Sequence, residues 1–134
     1  MHGALQEKID SLELQEIVLL AGRTNDLWNK ISSAEAFLLT SEYEGMSNAL
    51  IEAMCLGLPV ISTKVAGATD LIQDGKNGFL VDVKDGKALA DRMATLADSP
   101  QLREQMGHNA SKVYEQVRQD KICKQWIEYL KSKI

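Results

Sequence analysis

The chain has 134 residues and a formal net charge of −4, from 15 basic and 19 acidic side chains. This length suits one domain of roughly 100–150 residues, and the mild acidity argues against binding to nucleic acid or an anionic membrane through a basic surface. The two cysteines provide neither a disulfide framework nor a four-ligand zinc site, and they fit a reducing, cytoplasmic setting.

The first two-thirds of the chain alternate between helical patterns and short apolar runs. Leu5, Ile9 and Leu12 have helical spacing. Apolar runs then predict strands at residues 17–21, 36–40, 60–63 and 78–81, and the segments between them predict helices at 26–34, 47–56 and 69–73. Apolar strands interleaved with helices are typical of a parallel sheet that is buried on both faces. We therefore expect an α/β fold with a Rossmann-like parallel sheet and flanking helices.

The last third, from about residue 85 to residue 134, is predicted to be helical. Leu89, Met93 and Leu96 are spaced by four and three residues, and Ser99 followed by Pro100 is typical of a helix start. Two apolar stripes follow, Leu102, Met106, Ala110, Val113 and Val117, and then Ile122, Trp126, Leu130 and Ile134. Because such stripes normally face a core, we expect both to be buried.

Residues 40–57 join the end of a predicted strand to the start of a predicted helix. In an open parallel sheet, ligands bind beyond the carboxyl ends of the strands. A helix that begins there presents free N–H groups and the positive end of its dipole, which suit a phosphate. Gly45 lets the backbone approach a ligand closely, and Ser47 can cap the helix. This segment is therefore the candidate binding site.

Two carboxylates, Glu44 and Glu52, flank this turn. Asn48 and Glu52 are four residues apart and share one helix face, whereas Leu50 and Met54 take the other face, toward the sheet. We expect Glu52 to point along the cleft, where it could accept hydrogen bonds from a ribose. From spacing alone, the alternative that Glu44 is an ordinary loop residue and Glu52 an ordinary surface residue stays open.

The same segment carries a family pattern. Glu44 and Glu52 form a Glu-x7-Glu motif within Tyr-Glu-Gly-Met-Ser-Asn-Ala-Leu-Ile-Glu-Ala-Met, and three ordered blocks follow at residues 56–63, 67–72 and 74–81. In this order and spacing, the blocks resemble the C-terminal, donor-binding domain of retaining GT-B glycosyltransferases of family four, the group 1 glycosyltransferases. The resemblance extends from about Leu5 to Leu130.

The resemblance implies a role for each matching residue. Glu52 would bind the ribose hydroxyls of a nucleotide sugar, and Glu44, as the catalytic-site carboxylate, would contact the transferred sugar and orient it. Leu50 would lie near the ribose, and the loop at Gly22 and Arg23 would contact the base. Backbone amides of the loop and helix start would hold the sugar and diphosphate, at Gly45, Met46, Ser47, Asn48 and Ala49.

The implied reaction transfers a sugar from a nucleotide diphosphate to an acceptor hydroxyl with retention of the anomeric configuration. The helix N-terminus would stabilise the departing phosphate. The sequence contains no Asp-x-Asp motif, in keeping with a class that uses no metal ion, and we expect no cofactor. We expect a UDP-linked donor, a carbohydrate or glycolipid acceptor in polysaccharide, lipopolysaccharide or glycolipid biosynthesis, and no nucleic-acid partner.

Two departures from the family pattern shape the domain prediction. The Arg and Lys that bind the diphosphate in the family lie upstream of this region, and the usual Gly-Gly-x-x-Glu block reads Ala-Gly-Ala-Thr-Asp at residues 66–70. We expect residues 1–134 to be one partial donor-binding domain of a cytoplasmic enzyme, and a peripheral location of the full-length protein at the inner face of the membrane stays open. The acceptor domain would be absent, and the chain alone would be inactive.

The missing strands of such a domain would leave bare sheet edges. Bare edges favour rearranged pairing or association, so we expect either a closed four-stranded sheet or a strand-mediated homodimer. Two other functions stay open, a non-catalytic module that binds nucleotide sugars and another GT-B enzyme such as a nucleotide-sugar 2-epimerase. A second α/β domain encoded upstream of Met1 would favour the transferase.

Overall fold

The computed structural model describes residues 2–23 and 27–132. In chain order, these residues form α1 (His2–Ser11), α2 (Leu27–Ser32), β1 (Phe37–Leu39), α3 (Asn48–Cys55), β2 (Val60–Thr63), α4 (Ala66–Leu71), β3 (Phe79–Val81), α5 (Gly86–Asp98), α6 (Pro100–Ser111), α7 (Tyr114–Val117) and α8 (Gln119–Lys131). None of the helices in these two ranges is long and apolar enough to cross a membrane.

The strands form one parallel sheet in the order β1-β2-β3, so β2 is central. Phe37 is opposite Val60, and Ile61 is opposite Phe79. Helices connect the strands, as parallel pairing requires. The predicted α/β class, with a Rossmann-like parallel sheet, flanking helices and C-terminal helices, is confirmed.

Both faces of the sheet are covered. Val60 packs on one side with Leu50 from α3, in a cluster that also draws residues from α4 and α6. The next residue, Ile61, points to the other side and packs with Leu96 from α5 and Met106 from α6. Since neighbouring strand residues alternate between faces, burial on both sides of the sheet explains why all four residues of β2 are buried.

The predicted strand at residues 17–21 is wrong. The backbone N–H groups of Ile17 and Val18 both bond to the carbonyl of Leu14, which forms a turn. Ile17 and Leu19 are 79% and 85% exposed. A strand needs a neighbour to pair its backbone groups, and the described residues offer none here. The predicted four-stranded sheet is therefore also wrong.

The remaining differences concern helices. The helix predicted at 69–73 spans Ala66–Leu71, because the backbone N–H groups of Ala68 and Thr69 already bond to the carbonyl of Val65, which begins the helix. The helix predicted at 26–34 spans Leu27–Ser32, and residue 26 lies outside the described residues.

The two predicted apolar stripes differ in outcome. Met106, Ala110 and Val113 of the first are buried. The second lies on α8, where every residue from 119 to 132 is exposed, so its predicted burial is wrong. Ile134 lies outside the described residues.

Candidate functional site

The loop at residues 40–47 connects β1 to α3 at the carboxyl end of the sheet. Its first half is tied to the central strand, because the hydroxyl of buried Thr63 donates to the carbonyl of Ser41 at 2.6 Å. Ser41 in turn donates through its own hydroxyl to Oε2 of Glu44, at 2.8 Å. These two contacts hold Glu44 at the carboxyl end of the sheet, where ligands bind in parallel α/β folds.

Ser47 begins α3. Its backbone is extended and its buried side chain accepts a hydrogen bond from the backbone N–H of Leu50, at 3.4 Å. This is an N-cap arrangement, and it satisfies one of the N–H groups that a helix start leaves without an intrahelical partner. The predicted capping role of Ser47 is confirmed. The first residues of the helix, Asn48 and Ala49, are exposed, so the positive end of the helix dipole lies at the surface.

The second half of the loop rests against the start of α4. The backbone N–H of Gly67 donates to the carbonyl of Gly45 at 3.1 Å. A Cβ at position 67 would lie 2.8 Å from the Cα of Met46 and would also collide with the Gly45 carbonyl. Only glycine therefore permits this approach. The altered block at residues 66–70 keeps the one glycine that the packing requires.

The two carboxylates occupy different surroundings. Glu44 lines a shallow depression of about 240 Å³ together with Gly45, Lys64 and Ala66, and it is half-buried. Glu52 is also half-buried but lies farther along α3. Leu50, Ala53 and Met54 of the same helix are fully buried, which confirms that the apolar face of α3 turns toward the sheet.

Burial limits what Leu50 can do. The residue is 0% exposed, its side chain lies in the core beneath α3, and its backbone N–H already donates to Oγ of Ser47. Met46, in contrast, is exposed on the loop. Gly22 has a left-handed backbone, with φ +64°, and both it and Arg23 are exposed. No hydrogen bond or ion pair among residues 2–23 and 27–132 joins Gly22 or Arg23 to the loop.

Sequence reasoning missed the residues at the strand ends. Lys64 forms an ion pair with Asp82 at 2.8 Å, and this hydrogen bond raises the pKa of the Lys64 ammonium. Lys84 pairs with Glu42 at 3.3 Å. A second depression, of about 260 Å³, runs beside these residues from Thr40 to Leu89. The signal that could have found them is position, since residues that follow parallel strands share one edge of the sheet.

Two further groups do not point to a reactive centre. Burial raises the pKa of the Cys55 thiol, and the nearby Glu52 carboxylate adds to the effect. A raised pKa makes a thiol a poorer nucleophile near neutral pH. Within the described ranges, no group of three or more His, Cys, Asp or Glu side chains is arranged to hold a metal ion.

The chain matches the family model for "Glycosyl transferases group 1" over residues 3–113. It is 34% identical over 119 residues to N-acetyl-alpha-D-glucosaminyl L-malate synthase of Bacillus anthracis, which covers 88% of this chain and 31% of that protein. It is 37% identical over 95 residues to the capsular polysaccharide biosynthesis glycosyltransferase CapM of Staphylococcus aureus, covering 71% of this chain and 25% of that protein. The chain thus spans a quarter to a third of the length of these curated relatives.

The fold also matches solved structures. Anabaena HepE in complex with UDP superimposes with a TM-score of 0.88 at 26% identity, over 98% of this chain and 36% of that protein. The same protein in complex with UDP-glucose gives a TM-score of 0.86 over the same shares of the two chains.

Proposed function

The chain belongs to the group 1 glycosyl transferases, and on that basis we propose that it forms the donor-binding part of a retaining GT-B enzyme. This enzyme transfers a sugar from a UDP-sugar to an acceptor hydroxyl in the synthesis of a polysaccharide or related glycoconjugate. The observation that carries the proposal is the Ser47-capped start of α3, which lies between Glu44 and Glu52 at the carboxyl end of the sheet. Its support is a structural neighbour that binds UDP and UDP-glucose.

The proposed chemistry follows from the electrostatics of this edge. The bond between the anomeric carbon and the phosphate oxygen breaks, and UDP leaves with the electron pair. A bond forms from the anomeric carbon to the acceptor oxygen, and the proton of that hydroxyl passes to the departing diphosphate. Negative charge develops on the departing diphosphate, and the N-terminus of α3 opposes it with backbone N–H groups and the helix dipole.

Each carboxylate has a distinct part. Glu52 accepts hydrogen bonds from the ribose hydroxyls and so fixes the nucleotide along α3. Glu44 accepts from hydroxyls of the transferred sugar and orients its anomeric carbon. The exposed backbone of Gly45, beside Glu44, lets the donor approach the loop. Gly22 and Arg23 are proposed to contact the base once the donor is bound.

The proposal extends to the protein that contains this chain. Because the chain spans 31% of its relative from Bacillus anthracis, we propose that the acceptor is bound by residues beyond these 134 and that the chain alone does not turn over. The names of the relatives favour transfer over the epimerase alternative.

The test is Glu52→Ala in the protein encoded by the complete reading frame. Calorimetry with UDP, GDP and ADP first identifies the nucleotide, and we expect UDP to bind most tightly. Loss of a charged acceptor for the ribose should weaken UDP binding about tenfold to a hundredfold. Glu104→Ala, an exposed carboxylate on α6, is the matched control and should bind like the wild type. Unchanged UDP affinity in Glu52→Ala would refute the ribose assignment.

A further inference from the structure

We propose that Ser41 and Thr63 are positioning residues that set the Glu44 carboxylate against the donor sugar. This inference rests on the proposed function, because it takes Glu44 as the group that meets the transferred sugar. It adds a supporting pair of hydroxyls, neither of which lies in the Glu-x7-Glu motif.

Ser41 fixes Glu44 directly. Its Oγ donates to Oε2 of Glu44 at 2.8 Å, across a span of three residues within the loop. This is a short bond to an ionised acceptor, the stronger kind of hydrogen bond. The bond restricts the side-chain torsions of Glu44 before any ligand arrives, so the loss of rotamer entropy on binding is reduced.

Thr63 fixes Ser41. Its Oγ1 donates to the Ser41 carbonyl at 2.6 Å and lies 3.5 Å from the carbonyl of Leu39. Thr63 is buried at the end of β2, the central strand. The loop is therefore tied to the most constrained strand on one side of Glu44. On the other side, the bond from the Gly67 N–H to the Gly45 carbonyl ties it to α4.

The hydroxyl that donates a hydrogen bond to Glu44 is neutral, which favours a positioning role over neutralisation of the Glu44 charge. Lys64 and Lys84 lie near this loop, but they pair with Asp82 and Glu42. Glu44 is held instead by the neutral hydroxyl of Ser41. A neutral hydrogen-bond donor orients the carboxylate and leaves its negative charge available to accept hydrogen bonds from hydroxyls of the transferred sugar.

The test compares Ser41→Ala, Ser41→Thr and Thr63→Val in the protein encoded by the complete reading frame. The probes are UDP alone and whichever of UDP-glucose and UDP-N-acetylglucosamine the wild type binds more tightly. Calorimetry gives both affinities, and UDP release during hydrolysis of the same donor gives kcat and KM. Glu44→Gln is measured in parallel. Ser111→Ala and Thr95→Val, which remove hydroxyls bonded only within α6 and α5, are the matched controls.

We expect Ser41→Ala to lower kcat about tenfold or more with unchanged UDP affinity and melting temperature, because UDP lacks the sugar that Glu44 meets. Ser41→Thr keeps the hydroxyl and should restore most of the rate. Thr63→Val, one bond further away, should lower kcat about three- to tenfold.

Each contrary result has its own meaning. If Glu44→Gln loses activity while Ser41→Ala behaves like the wild type, Ser41 does not position Glu44 and the proposed function stands. If Ser41→Ala weakens UDP binding as much as turnover, or lowers the melting temperature, its role is structural and the inference fails. If Glu44→Gln is fully active, or the wild type binds neither UDP nor UDP-sugar, the proposed function fails and this inference with it.

Discussion

The segment from residue 36 to 113 and the segments that flank it differ in packing rather than in composition. Every buried hydrophobic residue of the described chain except Ile9 lies between residues 50 and 113. The flanks are also rich in large apolar side chains, yet those of Leu5, Ile17, Leu19 and Trp126 are exposed. The sheet and the loop that carries Glu44 belong to the packed segment.

This contrast shows what each kind of element needs from its surroundings. A helix pairs its backbone groups internally, so α8 forms although its apolar face meets no other part of the described chain closely enough to be buried. A strand must pair with a neighbour, so residues 17–21 remain irregular. An apolar pattern predicts where an element could be buried, and the presence of a partner surface decides whether it is.

The largest expected effect is on the free energy of unfolding, and it compares a buried methionine with an exposed one. Met106 is 0% exposed and packs with Ile61 and Leu96, whereas Met93 is 46% exposed on α5. Met106→Ala should lower the free energy of unfolding by about 2–5 kcal/mol, because it removes buried surface and leaves a cavity. Met93→Ala should change it by less than about 1 kcal/mol. Urea unfolding of the two variants measures both, and similar losses would contradict the assignment of the core.

A smaller effect on stability is expected when two glycines are each replaced by alanine. Gly67→Ala would force its Cβ against the backbone of Gly45 and Met46, which cannot rotate away as a side chain could. We expect a loss of about 1–3 kcal/mol in the free energy of unfolding, together with weaker binding of a UDP-sugar to the displaced loop. Gly86→Ala is the control, since nothing lies within 4 Å of the new Cβ. It should be neutral or stabilise by up to about 1 kcal/mol. A stable Gly67→Ala with normal donor binding would show that this close approach is not required.

Most of the packed segment could be predicted from local signals. The strand predicted at residues 60–63 matches β2, and Ser47 and Ser99 cap α3 and α6 as predicted from their positions at the helix starts. Residues 17–21 and the stripe on α8 could not be predicted correctly, because their pattern is the same as that of buried elements. Only the fold reveals that no partner within the described residues covers them.

The residues of the candidate site also divide into those that the sequence predicts and those that only the fold reveals. Gly45, Ser47 and the two carboxylates carry a motif with fixed spacing, so sequence alone places them on one loop and helix. Thr63 and Gly67 act on that loop from more than 20 positions away in the chain. No local pattern links a hydroxyl at the end of β2 to a carbonyl after β1, and that contact follows only from the pairing of the two strands.

The smallest expected effect is a difference in reactivity between the two cysteines, one of which lies in the packed segment and the other in a flanking segment. Cys55 ends α3 and is half-buried, and burial together with Glu52 raises the pKa of its thiol. A raised pKa leaves a smaller thiolate fraction at pH 8, and thiolate is the reactive form. Cys123 is exposed on α8. We therefore expect iodoacetamide to modify Cys123 faster than Cys55, and the rate at Cys55 to keep rising as the pH increases through 9.

Single-thiol variants, Cys55→Ala and Cys123→Ala, allow each rate to be measured by mass spectrometry, with the urea-unfolded chains as the reference in which burial is removed. Equal rates in the folded state would contradict the packing around α3. Repeating the measurement over a range of protein concentrations tests whether copies of this chain associate through α8, a surface different from the sheet edges of the expected strand-mediated homodimer. If self-association covers the apolar face of α8, Cys123 will become protected as the concentration rises and Cys55 will not change. If Cys123 keeps its rate throughout, α8 is not the surface through which copies of this chain associate.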